Sequence, residues 1–122
     1  PPYANLSERD LPDRPATLDA TAVTEFVTAY EEATVWNDLV ADRKISLGVH
    51  ASNATVVARP DDGYLVRVKG GLGFEDCLNG SHVAGDGILR ANYFVNETAA
   101  IRLNQPRNTT DDPREHGGEV IA

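Results

Sequence analysis

The chain has 122 residues, 25% charged and 41% hydrophobic, with nineteen acidic residues against eleven basic ones and a net charge of −8. That length suits one domain with a single core. No run approaches the 18 or so apolar residues that a membrane-crossing helix requires. The acidic balance repels phosphate backbones and argues against nucleic acid as a partner. Only two of the bases are lysines, Lys44 and Lys69. An acid-rich, lysine-poor surface suits concentrated salt, where cations gather at the protein and screen its self-repulsion.

Residues 1–18 hold four prolines and mixed charge, and read as an extended Pro-rich leader that wraps the domain or spaces it from an anchor. Tyr3, Leu6 and Leu11 are its candidate docking residues. The chain starts Pro-Pro-Tyr, with neither an initiator Met nor a signal-peptide core. It therefore reads as a mature or trimmed piece, with any membrane anchor outside it.

Residues 19–42 are the only long helix-like run. Val23, Phe26, Val27, Tyr30 and Ala33 recur at spacings of three and four, and Trp36, Leu39 and Val40 continue the apolar stripe. Thr24, Glu25, Thr28, Glu31, Glu32 and Asp38 fall on the polar side. Asp19 or Thr21 is the expected N-cap, and Arg43 and Lys44 sit where cations favour the C-terminus. A helix of about 20 residues spans roughly 30 Å, enough to cross a sheet of four or five strands.

About six short strand-like pieces follow. Residues 45–50, 54–59 and 64–69 alternate, and the last two are joined by Pro60-Asp61-Asp62-Gly63, with glycine expected in the left-handed position. Tyr64, Val66 and Val68 share one face, Leu65, Arg67 and Lys69 the other. Residues 70–87 contain six of the ten glycines. They read as a strand ending in Cys77 and Leu78, a tight turn at Asn79-Gly80, a short return, and a second turn at Asp86-Gly87. A last hairpin joins residues 88–95 to 98–103 through Asn96-Glu97. Residues 105–122 read as a polar tail, with Asp111, Asp112, Glu115 and Glu119 as a solvated acidic end. The expected organisation is thus a leader (1–18), one α+β domain (19–104) and the tail. In the domain, one long N-terminal helix packs on a curved antiparallel sheet of about four to six strands, by analogy with cystatin-like or NTF2-like folds. Such an analogy carries no activity.

Five Asn-X-Ser/Thr triplets occur, at Asn5, Asn53, Asn79, Asn96 and Asn108. With eight Asn and thirteen Ser or Thr in the chain, chance would place about one. None has proline in the middle, so all five are chemically competent acceptors of N-linked glycan. They point to an extracellular or cell-surface location.

The stretch Val23-Thr-Glu-Phe-Val-Thr-Ala-Tyr-Glu-Glu-Ala, followed by Trp36-Asn37, resembles a helix near the start of secreted haloarchaeal lipoproteins of unknown function. In these a Pro-rich leader precedes the helix and strands follow. The resemblance covers the leader and helix, roughly a third of the chain. It implies extracellular placement and supplies no activity, and the family's lipid-bearing cysteine has no counterpart in this sequence.

Signatures of chemistry are sparse. Gly71-Leu72-Gly73 lacks the third glycine of a dinucleotide loop and no helix follows it, so a twisted or bulged strand is expected there. Asp76 and His82 are placed to meet across the Asn79-Gly80 turn as a carboxylate–histidine pair. Tyr30 and Trp36 are the aromatic residues best placed to line a helix–sheet pocket, with His50, His82 or Asp76 as its polar group. Asp61 with Asp62, or Glu75 with Asp76 and Asp86, offer oxygen ligands of the kind calcium takes, without EF-hand spacing. No cofactor, metal or catalytic set is implied. Cys77 is alone, expected as a small strand residue or a link between chains. Arg59, Arg67, Arg90 and Arg102 are expected on the solvent face, paired with surface acids. The function expected is that of a non-enzymatic, N-glycosylated cell-envelope domain of a halophile, binding or structural. Two alternatives stand beside it. One is a subunit of a self-assembling surface structure, using its leader or an edge strand to join a second copy or another envelope protein. The other is a small-ligand binder or hydrolase with a helix–sheet pocket.

Overall fold

The computed structural model describes residues 6–41 and 45–122. One helix, α1 (Ala20–Val40), lies on a five-stranded antiparallel sheet built in simple meander order from β1 (Ser46–Ala58), β2 (Tyr64–Leu78), β3 (Ser81–Val95), β4 (Ala100–Asn104) and β5 (Glu119–Val120). The expected α+β architecture, a helix on a curved antiparallel sheet, is what the chain forms.

Asp19 caps α1, its side chain accepting from the Ala22 N–H at 2.8 Å, as one of the two candidate caps. The expected cations Arg43 and Lys44 lie outside the described residues. Val23, Phe26, Val27, Tyr30, Trp36 and Val40 are buried against Val49, Tyr64, Val66, Val68, Leu89, Ala91, Tyr93 and Val95. Alternation along β2 and β3 places these inward residues on one face. The apolar stripe of α1 thus meets the stripes of three strands. Glu31 departs from expectation, because it is fully buried on the helix side that faces the sheet.

The short strands expected from the sequence merge into long ones. β2 and β3 pair without a break over fifteen residues each, from Tyr64↔Val95 to Leu78↔Ser81. Asn79 and Gly80, both at positive φ, make the expected turn between them. Asp86-Gly87 makes no turn. The glycines there accept bulky partners on the opposite strand: Phe74 is paired with Gly85, and a Cβ on Gly85 would stand 2.6 Å from the Phe74 ring. Gly71 and Gly73 likewise lie inside β2, whose pairing with β3 is regular; the register breaks fall in β1, between His50 and Asn53 and between Val56 and Ala58. At the first break the backbones close so tightly that a side chain at Gly70 would strike the His50 carbonyl.

The Pro60–Asp62 segment forms the expected connection by a different device. Asp61 and Asp62 take the left-handed conformation, at φ 49° and 59°, which aspartate tolerates better than most residues. Gly63 is extended, and its lack of a side chain makes room for the Phe94 ring, 2.4 Å from where a Cβ would sit.

Residues 105–122 do not behave as a polar tail. They cross the face of the sheet opposite α1 and return to add β5 to β4, through Ile101↔Val120 and Arg102↔Glu119. Few apolar side chains are needed for this. Pro113 is fully buried, Leu65 and Phe94 are 5% and 1% exposed, and the Arg114 guanidinium lies 3.9 Å over the Phe94 ring. The leader also packs on its own domain. Leu6 and Leu18 rest against the core, whereas Leu11 is 45% exposed; Tyr3 lies outside the described residues.

Candidate functional site

The two consecutive acids in the middle of α1 tie the helix to both sides of the sheet. Glu31 Oε1 accepts from the Tyr93 hydroxyl at 2.7 Å and from Arg102 Nε at 2.8 Å, while Oε2 accepts from Arg102 Nη2 at 3.0 Å. Glu32 Oε2 accepts from the Ala51 N–H at 2.9 Å, beside the irregularity in β1. The side chain of Glu31 is wholly buried and that of Arg102 is 14% exposed. Burial raises the Tyr93 pKa far above the ordinary phenol value, and the neighbouring Glu31 charge adds to it. Burial works against the Arg102 charge, but the hydrogen bonds and charge of Glu31 outweigh it and raise its pKa. The Tyr30 pKa is raised as well, first by burial and then by the charge of Glu119. Glu31, Tyr93 and Arg102 hold one another, so the arrangement fixes the helix on the sheet. Arg102, expected on a solvent face, is the cation that makes it feasible.

Tyr30 and Trp36 pack into the core instead of lining a pocket, at 6% and 8% exposure. Tyr30 sits between Phe26 and Tyr93, with ring centroids 5.9 and 6.2 Å away. Trp36 holds the leader: its Nε1 donates to the Ser7 carbonyl at 2.7 Å, and the Arg9 guanidinium lies 3.8 Å over its ring. The neighbouring Asn37 side chain bonds the backbone of Arg9 twice, accepting from its N–H at 2.7 Å and donating to its carbonyl at 2.9 Å. The Trp-Asn pair thus has a structural task that its place on the helix did not disclose.

The carboxylate that meets His82 is Glu75, at 2.7 Å from Nε2; Asp76 points to the other face of β2 and accepts from the Cys77 N–H at 2.8 Å. Glu75 also accepts from the Ser46 hydroxyl at 3.0 Å. That bond, followed by the one from His82, lowers the Glu75 pKa. The Glu75–His82 pair is about half exposed, and such pairs contribute little. Cys77 is half-buried beside it, with His82 as register partner. His50 is exposed on β1, and His116 lies over Asp111 and Asp112 in the last loop. Among the described residues no three His, Cys, Asp or Glu side chains converge as metal ligands. Asp61 instead pairs with Arg114 at 2.9 Å, and Asp112 holds the same guanidinium at 2.8 Å.

Four sequons fall in the described residues. Asn53, Asn79 and Asn108 are exposed, on β1, at the β2–β3 turn and in the last loop, and Asn96 is half-buried between β3 and β4. In two of them the hydroxyl at the third position already rests on the acceptor amide: Thr55 Oγ1 donates to Asn53 Oδ1, and Thr98 Oγ1 to Asn96 Oδ1, each at 3.1 Å. Asn5 lies outside the described residues. A scan against family models, a search of curated proteins and a search of solved structures each return no match to this chain.

Proposed function

We propose that this chain is a non-enzymatic domain of the cell envelope of a salt-adapted organism, displayed extracellularly, N-glycosylated, and serving a binding or structural role. The observation that carries this reading is the placement of the acceptor asparagines. An excess of sequons over chance would be idle if the side chains were buried; instead Asn53, Asn79 and Asn108 project into solvent from three separate places on the surface. Tyr30 and Trp36 are packed in the core, which supports surface recognition over an enzyme whose pocket they would line. Peptide mapping by mass spectrometry, on the protein purified from its native host, tests the reading. Glycan mass is expected on the three exposed acceptors, with Asn96 occupied least. Unmodified asparagine at every sequon would overturn it.

One observation favours assembly as a second reading. β4 registers with Ala91–Val95 of β3 and the Gln105 N–H bonds the Arg90 carbonyl, so among the described residues no strand covers the outer edge of residues 81–89, and Ile88 within it is 76% exposed. Such an edge is suited to adding a strand from a second copy. Light scattering in concentrated salt would show an oligomer that Ile88→Lys dissociates; a monomer at high protein concentration would dismiss it.

A further inference from the structure

On the face of the sheet opposite α1, Arg67, Lys69, Arg90 and Arg107 line one cleft with Asn92, Asn108 and Thr109. These four cations are over a third of the eleven in a chain of net charge −8. Other arginines find partners: Arg102 holds Glu31, Arg114 holds Asp61 and Asp112, and Arg59 lies 3.6 Å over Tyr64. Among the described residues none of the four in the cleft is in an ion pair, although acids outnumber bases nearly two to one. Lys69 and Arg90 are direct partners across β2 and β3, about 5 Å apart at Cβ, where like charges repel. Arg67 stands two residues along, about 7 Å away. Cations set against one another, with no carboxylate lining the cleft among the described residues, make a surface that attracts anions.

The cleft is also built. Asn92, fully buried, donates through Nδ2 to the Asp111 carbonyl at 2.9 Å and to the Asn108 carbonyl at 3.3 Å. This fixes the wall carrying Arg107 and Asn108 against the strands. The Asn92 Oδ1 is buried without a donor behind that wall, while the side chains of Asn108 and Thr109 stay exposed on the rim. The four charges are too spread for one small anion to touch, and they suit a chain bearing anionic groups at intervals. Among the described residues no aromatic side chain lines the cleft, so the bases of a nucleic acid have nothing to stack on. Successive sugars carrying carboxylate or sulfate supply the anions, and their hydroxyls match the exposed Asn108 and Thr109 side chains on the rim. Asn108, a glycan acceptor, stands on the same rim.

We propose that this cleft binds an acidic saccharide. The source is either glycan attached to Asn108 of the same chain or an acidic polysaccharide around it. The proposal deepens the surface-domain reading by naming its ligand class, and rests on it only for where the ligand is met.

Isothermal titration calorimetry tests it on the full chain, free of glycan, at the lowest salt in which the domain stays folded. The probes are oligogalacturonate, sulfated dextran oligosaccharide, neutral dextran and oligoglutamate. Both acidic saccharides are expected to bind, neutral dextran not, and oligoglutamate more weakly. The Arg90→Gln, Arg107→Gln double variant, at two exposed positions, should keep the melting temperature and weaken saccharide binding by about tenfold or more, from loss of two charge-assisted contacts. If protein carrying glycan at Asn108 no longer takes up the probes while Asn108→Gln protein does, the attached glycan is the occupant; if both bind alike, the source is external. Absence of saccharide binding, binding unchanged in the double variant, or equal binding of oligoglutamate would overturn the proposal. Absence of glycan from the native protein would count against the surface reading and leave the binding result standing.

Discussion

The two faces of the sheet treat charge in opposite ways. On the face under α1, one arginine and one glutamate are taken out of water together, with Tyr93 completing the set. On the other face, four cations stay at the surface without a carboxylate among the described residues. Burial explains the difference. A charge inside the core must be paired, because its desolvation costs several kcal/mol, whereas a charge at the rim keeps its water and is available for a ligand. The first arrangement specifies the fold, and the second leaves a surface with work to do.

The largest effect is expected where the comparison is sharpest. Glu31→Ala removes the acceptor of the buried Tyr93 hydroxyl and the counter-charge of Arg102, which keeps a 3.3 Å bond to Asn104 Oδ1, and should lower stability by about 3–5 kcal/mol in denaturant unfolding. Replacing the pair together, Glu31→Leu with Arg102→Met, should restore most of it; a loss below about 1 kcal/mol for Glu31→Ala would mean the cluster is not buried as described. Gly63→Ala probes the other face. Its φ of −106° suits alanine, so the expected loss of about 1–3 kcal/mol comes from overpacking against Phe94. Phe94→Leu in the same chain should relieve part of it, which an independent backbone effect would not allow. Trp36→Phe removes one hydrogen bond to the leader, worth about 1 kcal/mol, and should speed proteolysis near Ser7 before the core unfolds. The smallest effect is at the hairpin end. Because the Glu75 pKa is lowered in the fold, its contribution is present above the ordinary carboxylate range and fades as pH falls through the lowered value. A carboxyl NMR titration should find Glu75 ionised to lower pH than other glutamates, and Ser46→Ala should move it back up; titration unchanged by Ser46→Ala would refute the assigned cause.

What the sequence disclosed divides along the same line. The face under α1 was legible because its signals are periodic: the stripe from Val23 to Val40 and the alternation of Tyr64, Val66 and Val68 each report a buried surface directly. Glu31 escaped, since one acid on an apolar face looks like any polar residue until its partner, seventy-one positions away, is known. Gly85 and Gly87 escaped because glycine marks both turns and close cross-strand contacts, and only the register with Phe74 and Leu72 tells them apart. The opposite face was almost illegible. Its cover consists of Pro113, an arginine on a phenylalanine ring and backbone bonds from Asn92, none of which has a periodicity. For the same reason the cationic cleft could not be seen: Arg67, Lys69, Arg90 and Arg107 converge only once β2, β3 and the last loop are folded together. Nearness in sequence favours Asp76 over Glu75 as the partner of His82, whereas strand alternation puts Glu75 on the face with His82.

The measurement that most directly tests this two-faced architecture is native-state hydrogen exchange at Gln105, Gly118 and Ile121. Their N–H groups donate to the Arg90, Pro113 and Ala100 carbonyls at 3.0, 2.9 and 2.8 Å. If residues 105–122 seal the second face and form the wall of the cleft, these amides exchange slowly, with protection comparable to that of the β2–β3 core. Exchange at the rate of an unstructured peptide, while Val66 and Tyr93 stay protected, would contradict it.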